Sequence, residues 1–168
     1  VPLTIRNEGT APVELVVSVS GAPIEPTPAQ ERGYRVERAY YLLNGEKVDA
    51  QRVAQNDRLV VVLTVSELEK RRGSLMLVDH LPAGLEIDNP KLVSSGDSGT
   101  LDWIEDGEEP ENTEFRDDRF SAAIEREAKD EAVFTVAYIV RAVSPGKYVL
   151  PQAYVEDMYN PSRYGRTG

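Results

Sequence analysis

DRLVVVLTVS, residues 57–66, decides the fold of this chain. Leu59, Val61, Leu63 and Val65 fall on one parity, and Val60 and Val62 on the other. Strict alternation marks a strand, and a second apolar parity predicts a strand covered on both faces. The same signature recurs on either side of it. AVFTVAYIV (132–140) sets Phe134, Val136, Tyr138 and Val140 on one face, and RFSAAIE (119–125) alternates more weakly through Phe120, Ala122 and Ile124. VELVVSVS (13–20) puts Val13, Leu15, Val17 and Val19 opposite Glu14, Ser18 and Ser20, which predicts a half-buried strand. β-Branched and aromatic residues fill all of these runs, as pleated surfaces favour.

The punctuation agrees. AYYLLNGEKVD (39–49) carries Asn44-Gly45 between strand-like flanks, a strong hairpin signal. Asn7–Gly9, Pro82–Gly84 and Pro145-Gly146 mark further turns. GAPIEPTPAQ (21–30), with Pro23, Pro26 and Pro28, reads as a stiff extended connection. SELEKRR (66–72) has a capping-box pattern in Ser66 and Glu69, but Gly73 follows and no apolar stripe lines it. At most a short helical turn or a charged loop is expected there. The fold class predicted is all-β, an antiparallel β-sandwich. EDGEEPENTEFRDD (105–118), with eight acids and one base, has the composition of a mobile loop.

With 168 residues, 40% hydrophobic and 29% charged, the chain suits one globular domain that needs no metal or disulfide to hold its core. A net charge of −10 argues against nucleic acid and anionic membrane surfaces as partners. The absence of cysteine rules out disulfides, thiolate metal sites and a cysteine-derived thioester within these residues. No apolar run approaches the ~18 residues of a membrane helix. The chain opens at Val1 with neither methionine nor signal peptide, which suggests a piece of something larger.

Chemistry finds little purchase. His80 is the only histidine, so no two-histidine metal site can form. In LMLVDHLPAG (75–84) it shares a strand face with Met76 and Val78, and Asp79 points the other way, which leaves His80 as a strand-end residue. No nucleophile elbow, phosphate loop or H-E-x-x-H is present. The acidic stretch lacks the spacing of a calcium loop and is interrupted by Pro110. Trp103, Phe115 and Phe120 could form a sugar-binding platform, but a core cluster closing one end of the sandwich is the simpler reading. No enzyme activity, cofactor or metal is expected.

Taken together, DHLPAGLEIDNP (79–90), EFRDDRF (114–120), YIVRAVSPGKYVLP (138–151) and YVEDMYNP (154–161) resemble the last domain of bacterial alpha-2-macroglobulins. LTIRNEGTAPVELVVSVSG, VERAYYLLNGEKVD and DRLVVVLTV agree with it in order. The resemblance implies that residues 1–168 are a C-terminal, receptor-binding-type macroglobulin domain of a periplasmic, inner-membrane-anchored protein that traps proteases. It implies a non-catalytic role: the segment matching EDMY lies against the thioester domain of the same chain and shields that bond until a bait region is cut. Met158 and Tyr159 are then the latch, with Glu156, Asp157 and Pro161 as its flanking interface. The partners implied are the thioester domain, neighbouring macroglobulin domains and, indirectly, target proteases. The resemblance also implies one more strand beyond RYGRTG, and hence an unpaired edge here.

The residues alone support an outward tip. Pro161 cannot donate to a ladder and Asn160 before it is biased away from helix, so a protruding segment is expected. Folding of Met158 and Tyr159 back onto the domain's own sandwich stays open at this point. Two other readings also stay open: a docking module for other envelope proteins, using the proline-rich connection and the acidic stretch, or an unrelated adhesin or carbohydrate module suggested by LPAG.

Overall fold

The computed structural model describes residues 4–18, 27–88, 103–104 and 106–168. Two antiparallel sheets pack face to face, and no helix occurs among the described residues. The six-stranded sheet has the order β1 (Gln30–Arg32), β11 (Asn160–Arg166), β10 (Ala153–Asp157), β5 (Gly73–His80), β8 (Arg119–Arg126), β7 (Asn112–Phe115). The five-stranded sheet runs β3 (Lys47–Val48), β2 (Tyr34–Tyr41), β4 (Arg58–Glu67), β9 (Val133–Ala142), β6 (Leu85–Ile87).

DRLVVVLTVS is β4, at the centre of the second sheet, paired with β2 on one side and β9 on the other. Its parity sets both of its environments. Leu59, Val61, Leu63 and Val65 enter the inter-sheet core with Val36, Phe134, Val136, Tyr138 and Val140. Leu75, Leu77, Phe120, Ala122, Ile124, Ala153 and Val155 meet them from the facing sheet. Val60 and Val62 face outward with Ala137 and Ile139, under Tyr41, Leu43, Trp103 and Ile104. Trp103 packs at a tilt on Tyr41, ring centroids 4.9 Å apart, and donates its indole N–H to the Leu43 carbonyl at 3.2 Å. It therefore roofs the outer face of this sheet and takes no part in the Phe115–Phe120–Tyr138 stack of the core, where ring centroids lie 5.4 and 4.5 Å apart.

The hairpin at Asn44-Gly45 forms as its sequence predicts, between β2 and β3. Gly45 takes φ = +87° and lies against the Trp103 ring, where a Cβ would come within 3.0 Å. A second glycine is fixed by close approach alone: a Cβ at Gly165 would lie 2.6 Å from the Tyr34 carbonyl oxygen.

Two expectations are corrected here. Val13–Ser18 forms no strand; residues 4–18 are exposed and outside every sheet, because nothing among the described residues pairs with them. (Val19 and Ser20, like most of the proline-rich connection, lie outside the described residues.) The acidic stretch is not a loose loop. Its second half is β7, Gly107 bridges to Thr135, and Glu108 is ion-paired with Arg126. Hydrogen bonds of the strand ladder, together with one buried cation, outweigh the mutual repulsion of its carboxylates. Of the two readings of SELEKRR the charged loop holds: Ser66 and Glu67 end β4, and an exposed bend follows.

Candidate functional site

Two polar clusters lie inside the sandwich, and neither contains a reactive constellation. Arg38, on the inward face of β2, donates to Asp79 of β5 in the other sheet and, at 2.7 Å, to the Pro151 carbonyl. Tyr138 donates its hydroxyl to the second Asp79 oxygen at 2.7 Å. Burial pushes the Asp79 carboxyl above its usual range, while the Arg38 charge and the Tyr138 hydroxyl pull it back. Burial and the same carboxylate raise Tyr138 well above the ordinary tyrosine range.

Toward the other end, Arg126 of β8 donates to Glu67 of β4 at 2.8 Å and also reaches Glu108 and the Glu131 carbonyl. Its guanidinium stacks 4.4 Å from the Phe134 ring centre. No buried side-chain nitrogen or oxygen of these clusters is left without a partner, which is the pattern of structural ion pairs. His80 is exposed at the end of β5, away from Asp79. Among the described residues no group of three or more His, Asp or Glu could hold a metal ion.

The tip of the β10–β11 hairpin carries two large apolar side chains on a braced turn. The sequence of YVEDMYNP looks too interrupted for a sheet interior, yet β10 is an inner strand, paired with β5 and β11, and Val155 and Asp157 are buried. The polar residues are accommodated by alternation: Tyr154 and Glu156 point outward, and the Tyr154 hydroxyl donates to Glu156. Pro161 falls where the register shifts beside Glu156 and Asp157, so its missing N–H breaks no regular ladder bond. The RYGRTG tail is likewise part of the fold. Its first residues complete β11, which pairs with β10 and, at Tyr164–Arg166, with β1.

Between the strands, Met158 and Tyr159 form the turn, 40% and 86% exposed. The backbone beneath them is firmly held. Met158 N–H donates to the Ser74 carbonyl at 2.8 Å. One oxygen of Asp157 accepts from the N–H groups of Tyr159 at 3.0 Å and Asn160 at 3.1 Å. Arg163 lies 3.9 Å from the other Asp157 oxygen, covers the Tyr34 ring, and donates to the Glu69 carbonyl at 2.9 Å. Asp157 is thus an internal brace rather than a contact surface. Glu156 is half-buried beside the tip, and Pro161 is exposed.

Replacing the brace is expected to show its role. Asp157→Ala should cost about 1–2 kcal/mol in chemical denaturation, because two turn N–H groups lose a charged acceptor. Asp157→Asn keeps an acceptor oxygen and should cost less than half as much. Equal losses for the two would mean that the ion pair with Arg163, not the turn bonds, holds the tip.

The bacterial alpha-2-macroglobulin MG10 domain family matches residues 33–162. Alpha-2-macroglobulin of Escherichia coli is 35% identical over 96% of this chain and 10% of its own length. That of Xylella fastidiosa is 32% identical over 94% of this chain and 10% of its length. Three solved structures share the fold. Salmonella alpha-2-macroglobulin with a tyrosine-to-glycine substitution has a TM-score of 0.75 and 30% identity, over 88% of this chain and 9% of that one. The same protein reacted with methylamine gives 0.74 and 31%, with 88% and 9% covered. The Escherichia coli protein activated by porcine elastase gives 0.71 and 28%, with 88% and 13% covered. The chain spans about a tenth of the length of the curated relatives it matches. On sequence and superposition alike, it belongs to the bacterial alpha-2-macroglobulin family, with residues 33–162 as an MG10 domain.

Proposed function

We propose that this chain is a non-catalytic, C-terminal module of a bacterial alpha-2-macroglobulin that acts as a broad-range protease inhibitor, and that its β10–β11 tip packs on a thioester domain of the same protein. One observation carries the reading: two large apolar side chains stand exposed on a turn whose backbone is fixed from below. Left in water, they have no use within their own domain. Against a partner, a tyrosine and a methionine would bury apolar surface, and the phenolic hydroxyl could find a hydrogen bond. There they would exclude water and amines from a reactive acyl bond until cleavage of a bait region rearranges the parent. That relatives are recorded reacted with methylamine and activated by elastase fits a protein of this kind. The compartment that goes with this function is the periplasm, with the parent anchored to the inner membrane.

The contact suits a latch. Covering both side chains would contribute about 1.5–3 kcal/mol each, enough to hold yet small enough for a rearrangement elsewhere to release. Tyr159→Gly in the parent protein should therefore speed reaction of the thioester with small amines by about 10- to 100-fold. The fold of the parent should not change. Unaltered amine resistance in a correctly folded variant would remove the latch.

A further inference from the structure

Arg38, Arg119, Arg126 and Arg163 are partly or fully buried, and each is ion-paired with a carboxylate. Arg166, at the end of β11, is partly buried as well, yet it forms no ion pair among the described residues. Its Nε is shut away from water without a hydrogen-bond acceptor, the one such side-chain atom among the described residues. A buried donor left without an acceptor forfeits its hydration, and the penalty grows with charge.

The register places Arg166 on the outer face of the six-stranded sheet. Side chains of directly paired residues share a face, so Arg32, Tyr154, Glu156 and Tyr164 stand there with it. The guanidinium groups of Arg32 and Arg166 lie 5.7 and 6.0 Å from the centre of the Tyr164 ring, and the Tyr154 ring lies 6.3 Å from it. Arg32 has no ion pair either, and Glu156, which shares the face, accepts instead from the Tyr154 hydroxyl. Contact with a tyrosine ring takes water from a guanidinium without neutralising it, which enlarges the gain from a carboxylate.

Beyond β10 the same face becomes apolar. By register it continues through Met76 and Val78 of β5 to Ala123 of β8, all partly buried. A solvated sheet face carries polar residues at such positions. The other sheet has its apolar outer face roofed by Trp103 and Ile104, whereas no third layer of strands covers this one among the described residues.

We infer that the outer face of β11, β10, β5 and β8 docks another unit of the same longer protein, which sets a carboxylate against Arg166 and Arg32 and apolar side chains on Met76, Val78 and Tyr154. Two cations without a carboxylate, at the edge of an apolar strip, define what fits: a surface acidic on one side and apolar beside it. The chain covers 10% of the length of its curated relatives, so most of such a protein lies outside it and is available as the occupant. β10 and β11 also carry the tip, so this contact would hold the hairpin from its side. The inference rests on the chain being part of a longer alpha-2-macroglobulin and not on the role proposed for Tyr159.

The parent protein with Arg166→Lys tests it. A carbodiimide joins an amine to a carboxylate in direct contact, with no spacer. Peptide mass spectrometry should find position 166 linked to an Asp or Glu of the same chain outside residues 1–168. A link to an acid within these residues would overturn the proposal. So would a link to a second copy, seen as mixed-isotope peptides when labelled and unlabelled protein are combined, and so would the absence of any link. If the variant fails to fold, hydroxyl-radical labelling of the unaltered parent decides instead. Met76 and Tyr154 should then be oxidised at least about 10-fold more slowly than in the urea-denatured parent, and a smaller reduction would overturn the docking. The link at position 166 and the amine reactivity of Tyr159→Gly are read separately, so either proposal can fail alone.

Discussion

Arg38→Ala is expected to destabilise the chain by about 3–5 kcal/mol at neutral pH, because it leaves a fully buried carboxylate without its cation. Asp79 is inaccessible to solvent, and its side chain receives Arg38 and the Tyr138 hydroxyl. The pH dependence gives the loss a signature. The Asp79 carboxyl already titrates above its ordinary value, chiefly through desolvation. A carboxyl whose folded-state pKa is raised contributes stability below its unfolded pKa, near ~3.9, and loses that contribution as pH rises through the folded value. Without Arg38 the largest opposing influence is gone, so the folded pKa climbs and the loss reaches further toward neutrality. The deficit of the variant should therefore shrink as pH is lowered from about 7 toward about 4. A deficit below about 1 kcal/mol, or one independent of pH, would show that Arg38 does not neutralise Asp79. The triple variant Arg38→Met, Asp79→Leu, Tyr138→Phe removes the carboxylate together with both of its side-chain donors, leaves only the Pro151 carbonyl without its Arg38 donor, and should lie within about 1–3 kcal/mol of the parent sequence.

Arg126→Leu should be nearly as costly, about 3–5 kcal/mol by urea denaturation, for the mirror-image reason. Glu67 and Arg126 are both buried, and Arg126 is the only cation with which Glu67 forms an ion pair among the described residues. The same substitution releases Glu108 and the Glu131 carbonyl, so β7 and the turn before β9 should loosen with it. Amide exchange in Asn112–Phe115 reports that loosening independently of global stability. Arg126→Lys keeps the charge but not the fork that reaches three acceptors, and should recover less than half of the loss. Full recovery by lysine would mean that charge alone matters at this position.

Alternation makes the sandwich legible. Each inner strand of the five-stranded sheet carries its core residues on one parity, and the structure keeps that parity without exception from Leu59 to Val65 and from Phe134 to Val140. The double-sided burial of β4 is legible too, from Val60 and Val62. The buried ion pairs are harder to see, although their signal is present. Arg38 continues the inward parity of Tyr34 and Val36, and Glu67 that of Leu63 and Val65. Asp79 likewise follows Leu75 and Leu77, and Arg126 follows Ala122 and Ile124. A charged residue on a core parity is the readable mark, and it is masked because charge by itself suggests surface.

At the tip, sequence shows the turn but not what holds it. It favours a protruding Met158 and Tyr159 while leaving their folding back open, and the resemblance sets Asp157 in a flanking interface, whereas the Asp157 side chain turns inward to brace the backbone. A brace of that kind is set by local dihedrals, which alternation does not encode. The strand expected over residues 13–20 shows the opposite failure. A local pattern states what a segment prefers, and only the rest of the chain states whether a neighbour exists to satisfy it.

The two internal ion pairs also act as dowels between the sheets. A sandwich faced mostly with valine and leucine could trade one alignment for another by sliding a residue pair along a strand, since the side chains on either side of the move are nearly interchangeable. Here such a slip would carry Arg38 off Asp79 and Arg126 off Glu67 at once, setting four charges against hydrocarbon. The alignment of the halves is thereby made unique, and with it the direction in which the tip at Tyr159 projects.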